Sequence, residues 1–415
     1  MSELSNKREN DAIYSYNRSD VFSALLLVAA SLFYRPMLLG NEYSLFGAML
    51  FIAAMLFVIL KQNGKVKLRK NAHTRTYICS IILFVYCAIQ CVIVGSDRIN
   101  EGLVTSVLLV LAVTAFYLCF LNKEIQTLFI RLVMYAMMLF SISYVISVVL
   151  MFLVGWDSIK ISSLDYGYFT TSEIYFPFTT TYGQMPLNGI IFRRLLGFAR
   201  ESGIMQIFYV WGFFSAEKYF SRTKLVQVLM LIGIVACFST SGFIVFGVSL
   251  LVYFDVRSLF KKGGFKKMLV IIVLAAAMVY LLFYAQGTRI LSRATATISD
   301  RMDGINFGLT VFKEHPLFGG GFYNTFGYPN IQTGVCAISS LGHVGLVGVG
   351  LWLFVFLFAF LDCSNKKRFL FTNAAMFITA VFSQPIMFAP VMYWFLFCDY
   401  DDNRVKLVRK KKKWR

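Results

Sequence analysis

The hydrophobic positions of the chain fall into runs of membrane-spanning length, separated by short polar segments. A helix that crosses a bilayer needs roughly 20 mostly apolar residues, because its backbone polar groups find no water to bond in the lipid. The pattern therefore predicts twelve spanning helices. Their predicted bounds are Val21–Leu39, Ser44–Leu60, Tyr77–Val94, Leu103–Leu121, Leu132–Val154, Gly203–Ala216, Leu225–Phe238, Gly242–Tyr253, Met268–Tyr284, Gly345–Phe360, Phe369–Phe382 and Ile386–Phe397.

Two pairs of these segments are short and share a polar turn. The seventh and eighth meet at Ser239–Ser241, and the last two meet at Ser383–Pro385. Each pair is either a hairpin or the two halves of one long helix. The distribution of charge decides between these options, because only hairpins put the basic loops on one side.

Basic residues recur in every second polar segment. If both short pairs are hairpins, thirty of the 40 Lys and Arg lie on one side, which the positive-inside rule makes cytoplasmic. We therefore expect an all-α polytopic membrane protein with a single transmembrane domain over residues 1–415 and both termini inside. The basic segments are 7–18, 61–75, 123–131, 218–224, 257–267, 366–368 and 404–415.

Composition agrees with this class. A hydrophobic content of 58% and a mean hydropathy of +0.68 exclude an ordinary soluble domain. The net charge of +19 and the run RKKKKWR are also found in nucleic-acid-binding proteins. We instead interpret them as topology anchors beside anionic lipid headgroups, with no nucleic acid partner. Asp399–Asp401 is a D-x-D sequence, which we interpret as accidental because no catalytic domain has room to follow it.

Two long outer loops, residues 155–202 and 285–344, are expected to carry function, because loops of this length usually do. They hold eight of the ten remaining Lys and Arg, against the positive-inside bias. Either an anionic ligand or a salt-bridge network explains these cations, and we favour the ligand. The eight residues are Lys160, Arg193, Arg194, Arg200, Arg289, Arg293, Arg301 and Lys313.

The first loop contains an aromatic and threonine-rich stretch, Asp165–Tyr182. It is either a sugar-binding surface, since aromatic faces stack on sugars and hydroxyls bond to them, or a folded interfacial lid without a ligand. The loop ends in Phe192–Gly203, which packs Arg193, Arg194, Arg200 and Glu201 together. One carboxylate cannot neutralise three guanidiniums, so this cluster favours an anionic ligand.

The second loop contains apolar residues at 298, 302, 305, 309 and 312, a spacing that predicts an amphipathic helix over Ser299–Phe312. Its Ile305, Leu309 and Phe312 face is expected to lie against protein or lipid at the outer surface. Pro316–Phe326 follows, where three consecutive glycines permit a tight turn and close backbone approach. His315 and His343 also fall on the outer side, and each is either a base or a structural residue.

Four short motifs resemble those of the bacterial O-antigen polymerase and ligase superfamily, the Wzy-type repeat-unit polymerases and WaaL-type ligases. Arg194–Gly197 followed by Glu201 is similar to its R-x-x-G motif with an acidic residue. Arg301, the amphipathic helix and Pro316–Gly321 are similar to its Arg, helix and P-L-x-G-x-G series. Ser239–Gly242 and Gly345–Gly348 resemble its S/T-rich turn and G-x-x-G motif.

One departure bears on the type of enzyme. Ligases of the superfamily carry a His about one helix length before the G-x-x-G motif, where this chain has Thr333–Val335 and no His. The resemblance therefore favours a polymerase over an O-antigen ligase. A rival from another class is a lipid-linked-sugar flippase or transporter, which would place charges inside its spans. Only Arg35 lies within a predicted span here.

The resemblance implies a GT-C-like fold of about twelve transmembrane helices in the bacterial inner membrane. The implied substrate is an oligosaccharide on undecaprenyl diphosphate, and the implied partners are the bilayer and a chain-length regulator protein. No metal or cofactor is expected. The implied catalytic residues are Arg194 and Arg301 for the leaving diphosphate, with Glu201, His315 or Tyr323 receiving the acceptor proton; those implied to bind substrate are Arg193, Arg200, Arg289, Arg293, Gly320 and Gly321.

Overall fold

The computed structural model describes most of the chain. The ninth predicted span, Met268–Tyr284, lies outside the described residues, and so do Arg289, Arg293 and Arg301. The described residues are 12–40, 43–61, 73–164, 172–187, 189–254, 302–326, 336–384, 386–401 and 403–409.

Twelve α-helices, one short 3-10 helix (Asp157–Ile159) and six strands are present in these residues. The helices are α1 (Arg18–Leu32), α2 (Ser44–Lys61), α3 (Thr74–Ile93), α4 (Ile99–Phe120), α5 (Lys123–Val154), α6 (Ser202–Tyr219), α7 (Thr223–Ala236), α8 (Thr240–Phe254), α9 (302–314), α10 (Ala337–Asp362), α11 (Lys366–Phe382) and α12 (Pro390–Leu396). The strands are β1 (Ala12–Tyr16), β2 (Lys160–Leu164), β3 (Ser172–Tyr175), β4 (Thr179–Leu187), β5 (Ile190–Leu195) and β6 (Val405–Arg409).

Five of the described helices are long and apolar enough to cross a bilayer, namely α2, α3, α4, α5 and α10. The bounds of α2, α3 and α4 lie within a few residues of those predicted from the apolar runs. The protein is therefore a mostly helical, polytopic membrane protein. The helices α7 and α8 are apolar but shorter, at 14 and 15 residues.

The twelfth predicted span, Ile386–Phe397, is wrong as a membrane crossing. Only the seven residues of α12 are helical, and all seven are buried inside the protein. A helix of that length covers about 10 Å, a third of the hydrocarbon thickness. Trp394 packs instead against Phe129 and Trp211 in the protein core, at ring distances of 5.0 and 5.3 Å. An apolar run predicts that its side chains avoid water, but it does not distinguish contact with lipid from contact with other protein residues.

Ion pairs gather the helix ends that carry basic residues at one end of the bundle. Lys61 pairs with Asp20 and Arg75 pairs with Asp362. These contacts bring the starts of α1 and α3 together with the ends of α2 and α10. The parallel pair β1–β6 lies at the same end, because Arg131 of α5 donates to the Val405 carbonyl. We call this the basic end, and we call the opposite end, which carries the sheet β2–β5 and α9, the loop end.

The D-x-D residues Asp399 and Asp401 are part of the basic end. Asp399 pairs with Lys123, and Asp401 pairs with Lys218 at 2.7 Å. Burial raises the pKa of Asp399, but Lys123 and Lys218 outweigh burial and hold that pKa below its usual value. The two carboxylates therefore join the segment after α12 to the start of α5 and the end of α6, which is a structural role.

The all-α prediction is wrong for the first long loop, which folds into a four-stranded antiparallel sheet in the order β2-β3-β4-β5. Helix α5 has 32 residues and is about 48 Å long, so its last turns extend beyond a hydrocarbon layer of about 30 Å. The sheet packs on those turns through Thr179, whose hydroxyl lies 2.7 Å from those of Ser143 and Ser147. The backbone N–H and C=O groups of this loop thereby hydrogen-bond between neighbouring strands of the sheet.

Candidate functional site at the loop end

Arg193 and Arg194 are neighbours on β5, so their side chains lie on opposite faces of the sheet. Arg193 forms an ion pair with Glu173, which also pairs with Lys160 at 2.7 Å. The guanidinium of Arg193 lies 5.0 Å from the ring centre of Tyr175. Arg193 therefore fits the salt-bridge alternative rather than substrate binding, because its partners hold it between the sheet and α5. Arg194 lies on the other face and is partly buried.

The segment after β5 leads directly to the start of α6. The hydroxyl of Thr180 donates to the Gly197 carbonyl, and Arg200 N–H donates to the Pro36 carbonyl at 3.0 Å. Glu201 is the N-cap residue of α6, but its side chain is exposed and makes no capping hydrogen bond. The R-x-x-G segment thus crosses the loop end and places Arg200 and Glu201 at the first turn of α6.

The sequence leaves two interpretations of the threonine-rich stretch, a folded lid and a sugar-binding surface, and different residues of the stretch fit each. Thr179, Thr180 and Thr181 are buried, and the hydroxyls of Thr179 and Thr180 bond within the protein. These threonines build the lid rather than a sugar surface. Phe176 and Phe178 are exposed at the turn between β3 and β4, so they are the described aromatic residues of this stretch that offer a stacking surface.

In the second loop, helix α9 packs on α10 through its glycines. Gly304, Gly308 and Val311 are the buried residues of α9, whereas Ile305, Leu309 and Phe312 are only partly buried. A Cβ atom at Gly308 would overlap the backbone of Ser339, and one at Gly342 would overlap Gly308. The contact face is therefore shifted from the predicted aliphatic face to a small-residue face, which lets the two backbones approach closely.

The glycine-rich segment after α9 bonds to a break in α10. Gly345 has φ +63° and ψ −171° inside that helix, so backbone groups on either side lose their helical partners. The N–H groups of Gly320 and Gly321 donate to the carbonyls of Gly342 and His343, at 2.8 and 3.1 Å. The N–H groups of Gly320 and Gly321 are therefore used within the protein, and their substrate-binding role stays a prediction.

The same break accepts further bonds from both sides. Leu346 and Val347 N–H donate to the carbonyls of Pro316 and Leu317, at 3.0 and 3.1 Å. The hydroxyl of Tyr86 on α3 donates to the Val344 carbonyl at 2.8 Å. The P-L-x-G-x-G and G-x-x-G motifs therefore bind each other, and α3 supports them.

The remaining candidates lie around this joint. His315 is exposed at the end of α9, and Tyr323 is partly buried with φ +62°. His343 is buried, and its Nδ1 lies 3.2 Å from the Gly321 carbonyl, which assigns the proton to Nδ1 because a carbonyl only accepts. The described candidates thus form two groups, one beside α5 and α6 and one beside α3 and α10.

A third set of polar residues was not recognised as a group from the sequence, although Ser239 lies in the predicted S/T-rich turn. A Cβ atom at Gly203 would lie 3.3 Å from Gln384 Nε2 and 3.4 Å from Ser239 Oγ. The first turn of α6, the α7–α8 turn and the turn after α11 therefore meet at one point. We call Ser202, Gly203, Ser239 and Gln384 the polar junction. The sequence signal for the polar junction is the presence of polar residues between two apolar runs, as at Ser239 and Gln384.

Strand β5 passes over this junction. The rings of Phe192 on β5 and Phe238 in the α7–α8 turn lie 6.0 Å apart. The arginine-bearing strand and the polar junction are thus neighbours at the loop end. Among the residues that the structure describes, no group of three His, Cys, Asp or Glu side chains is placed to hold a metal ion.

Residues 225–335 match the O-antigen ligase family, Wzy_C. This segment contains Ser239–Gly242 and Pro316–Gly321 but not Arg194, Glu201 or Gln384. A comparison with curated protein sequences finds no match. The family match confirms the predicted resemblance of this chain to the bacterial O-antigen polymerase and ligase superfamily.

Proposed function

We propose that the protein polymerises oligosaccharide repeat units linked to undecaprenyl diphosphate, for O antigen or a related surface polysaccharide. The family match over residues 225–335 is the observation that carries this proposal, since it implies a glycosyltransferase or ligase acting on such substrates. The alternative within the superfamily is an O-antigen ligase. The absence of a His at Thr333–Val335 favours the polymerase.

The proposed reaction is metal-independent glycosyl transfer. A hydroxyl of the acceptor sugar attacks the anomeric carbon of the donor, the glycosidic bond forms, and the lipid diphosphate leaves. Negative charge grows on the leaving phosphate, so fixed guanidiniums stabilise the transition state. Arg194 fits this role, because it lies on the face of β5 opposite the Glu173 network. Arg301 is its proposed partner, and Glu201, His315 or Tyr323 receives the hydroxyl proton.

The proposed site of this reaction is the periplasmic face of the bacterial inner membrane. The basic end then faces the cytoplasm, in accordance with the positive-inside rule, and the sheet β2–β5 and α9 face the periplasm. Lipid-linked repeat units and a chain-length regulator protein are the proposed partners on that side.

Cysteine labelling tests this orientation. We expect Ser163→Cys, on exposed strand β2, to react with a membrane-impermeant maleimide in intact spheroplasts. Ser221→Cys, exposed between α6 and α7, should react only after the membrane is permeabilised. The background should be low, because all eight native cysteines are buried. Labelling of Ser221→Cys in intact spheroplasts would reverse the orientation and remove the periplasmic site.

Loss of the gene tests the reaction. We expect cells that lack it to make surface glycolipid with a single repeat unit, because a polymerase extends chains but does not attach the first unit. The measurement is a gel of surface polysaccharide. Complete loss of chains from the lipid core would instead identify a ligase, and accumulation of intermediates in the cytoplasmic leaflet would identify a flippase.

A further inference from the structure

Two helical hairpins turn back near the loop end and meet the start of α6. Helices α7 and α8 have 14 and 15 residues, so each is about 21 to 23 Å long and shorter than the hydrocarbon layer. Helix α11 returns through non-helical residues before α12 begins at Pro390. The two turns bring Ser239 and Gln384 to the same point beside Gly203. Polar side chains between membrane helices are unfavourable unless they have hydrogen-bonding partners.

Gln384 differs from Gln126 and Gln206, two other buried glutamines, in the hydrogen bonding of its side-chain nitrogen. Gln126 and Gln206 donate to the carbonyls of Phe397 and Ile234, at 2.8 and 3.0 Å. The side chain of Gln384 is 3% exposed, yet within the described residues its amide makes no hydrogen bond. Its backbone N–H, in contrast, donates to the Thr379 carbonyl at 2.8 Å. An amide whose N–H groups have no partner within the protein can donate to a ligand.

The first turn of α6 adds further hydrogen-bond donors at this point. The N–H groups of Ile204 and Met205 already donate to the Glu201 carbonyl, at 3.1 Å each. The N–H groups of Ser202 and Gly203 come before them in the helix, and no side chain of the N-cap residue covers them. The dipole of an 18-residue helix favours negative charge at its start. Helix α8 also begins here, at Thr240, next to the hydroxyl of Ser239.

We propose that the polar junction binds one phosphate group of the lipid-linked diphosphate, with Gln384 Nε2, Ser239 Oγ and the N–H groups of Ser202 and Gly203 as donors. The identity of the anion rests on the proposed function, whereas the donor set rests on the geometry. Gln384 then binds the diphosphate below the strand that carries Arg194 and orients it for departure. The junction performs no covalent step.

The test measures binding of undecaprenyl diphosphate to the purified full-length chain in detergent. We expect Gln384→Glu to raise the Kd at least about tenfold, because the carboxylate repels phosphate and cannot donate. Gly203→Ala should also raise the Kd, because its methyl group fills the space between Gln384 and Ser239. Alanine is favourable in a helix, so this variant should keep the thermal stability of the wild type. Gln227→Leu is the matched control, because the amide of Gln227 donates to the Phe213 carbonyl outside the junction.

Phosphatidylglycerol vesicles and inorganic pyrophosphate separate the sources of the phosphate. We expect pyrophosphate to compete with undecaprenyl diphosphate and phosphatidylglycerol to compete poorly, because bulk lipid carries a single phosphodiester. Equal competition by phosphatidylglycerol would make the junction a general headgroup site and overturn the proposal, and so would wild-type Kd values in both Gly203→Ala and Gln384→Glu. If gene loss leaves polymer length unchanged while binding still depends on Gln384, the proposed function fails and the phosphate site stands.

Discussion

Replacing Arg194 by Ala is expected to abolish chain extension, leaving only single-repeat glycolipid, while the protein stays folded and inserted. Arg194 lies on the face of β5 opposite Arg193, whose ion pair with Glu173 joins β5 to β3. Loss of one preorganised donor to a developing anion typically lowers a rate about 10² to 10³-fold, which on a repetitive reaction removes all long chains. The measurement is a polysaccharide gel from cells that express the variant at wild-type level. The same result is expected for Arg301→Ala.

Two variants separate this role from structural pairing. Arg194→Lys should restore chain length poorly, because an ammonium keeps the charge but loses the planar fork that grips two phosphate oxygens. Arg98→Ala is the matched control, since Arg98 lies at the loop end and pairs only loosely with Glu101, at 3.7 Å. Polymer of normal length from well-expressed Arg194→Ala protein would end the catalytic proposal for that residue.

Replacing Gly345 by Ala is expected to unfold the loop end. The residue has φ +63°, and a Cβ atom there would overlap the Leu317 carbonyl. The substitution adds backbone strain of about 1 kcal/mol and displaces a segment held by four backbone hydrogen bonds of about 1 kcal/mol each. A loss of about 3 kcal/mol or more should follow, measured as a lower free energy of unfolding in detergent.

Gly350→Ala is the control for this prediction, because Gly350 lies in the same helix with open space around its Cβ position. It should leave stability unchanged or raise it slightly, since alanine favours helix. Equal stability of Gly345→Ala and Gly350→Ala would show that the break in α10 is not required for the fold.

The apolar pattern predicts the long helices well, because a run of spanning length permits few alternatives. Ser44–Leu60 was predicted and Ser44–Lys61 is observed. The same pattern fails for Ile386–Phe397, where the surrounding core replaces lipid as the apolar environment. It also fails for Gly345, where the tenth span is predicted to begin and the observed helix α10 is instead broken. The break there depends on hydrogen bonds to Pro316–Gly321, a contact between segments that local periodicity does not encode.

The candidate site was predicted in part. Clustering of Arg193, Arg194 and Arg200 against the positive-inside bias predicted a functional segment, but it did not distinguish the environments of its three arginines. That distinction depends on the alternation along β5, which pairs Arg193 with Glu173 of another strand. Gln384 was seen only as part of a turn, since its meaning depends on meeting Ser239 and Gly203 in space. Arg301 stays a prediction from its motif.

The parallel pairing of β1 with β6 bears on how the protein is made. Ala12–Tyr16 leaves the ribosome early, but its partner Val405–Arg409 emerges only after every described membrane helix has been synthesised. On the proposed orientation, the first strand therefore stays unpaired in the cytoplasm until Val405–Arg409 has been synthesised. When β1 and β6 pair, Arg131 of α5 also donates to the Val405 carbonyl. Pairing of the two strands therefore requires that α5 is already in place. Chains that stop before residue 405 would present an unpaired strand to quality-control proteases.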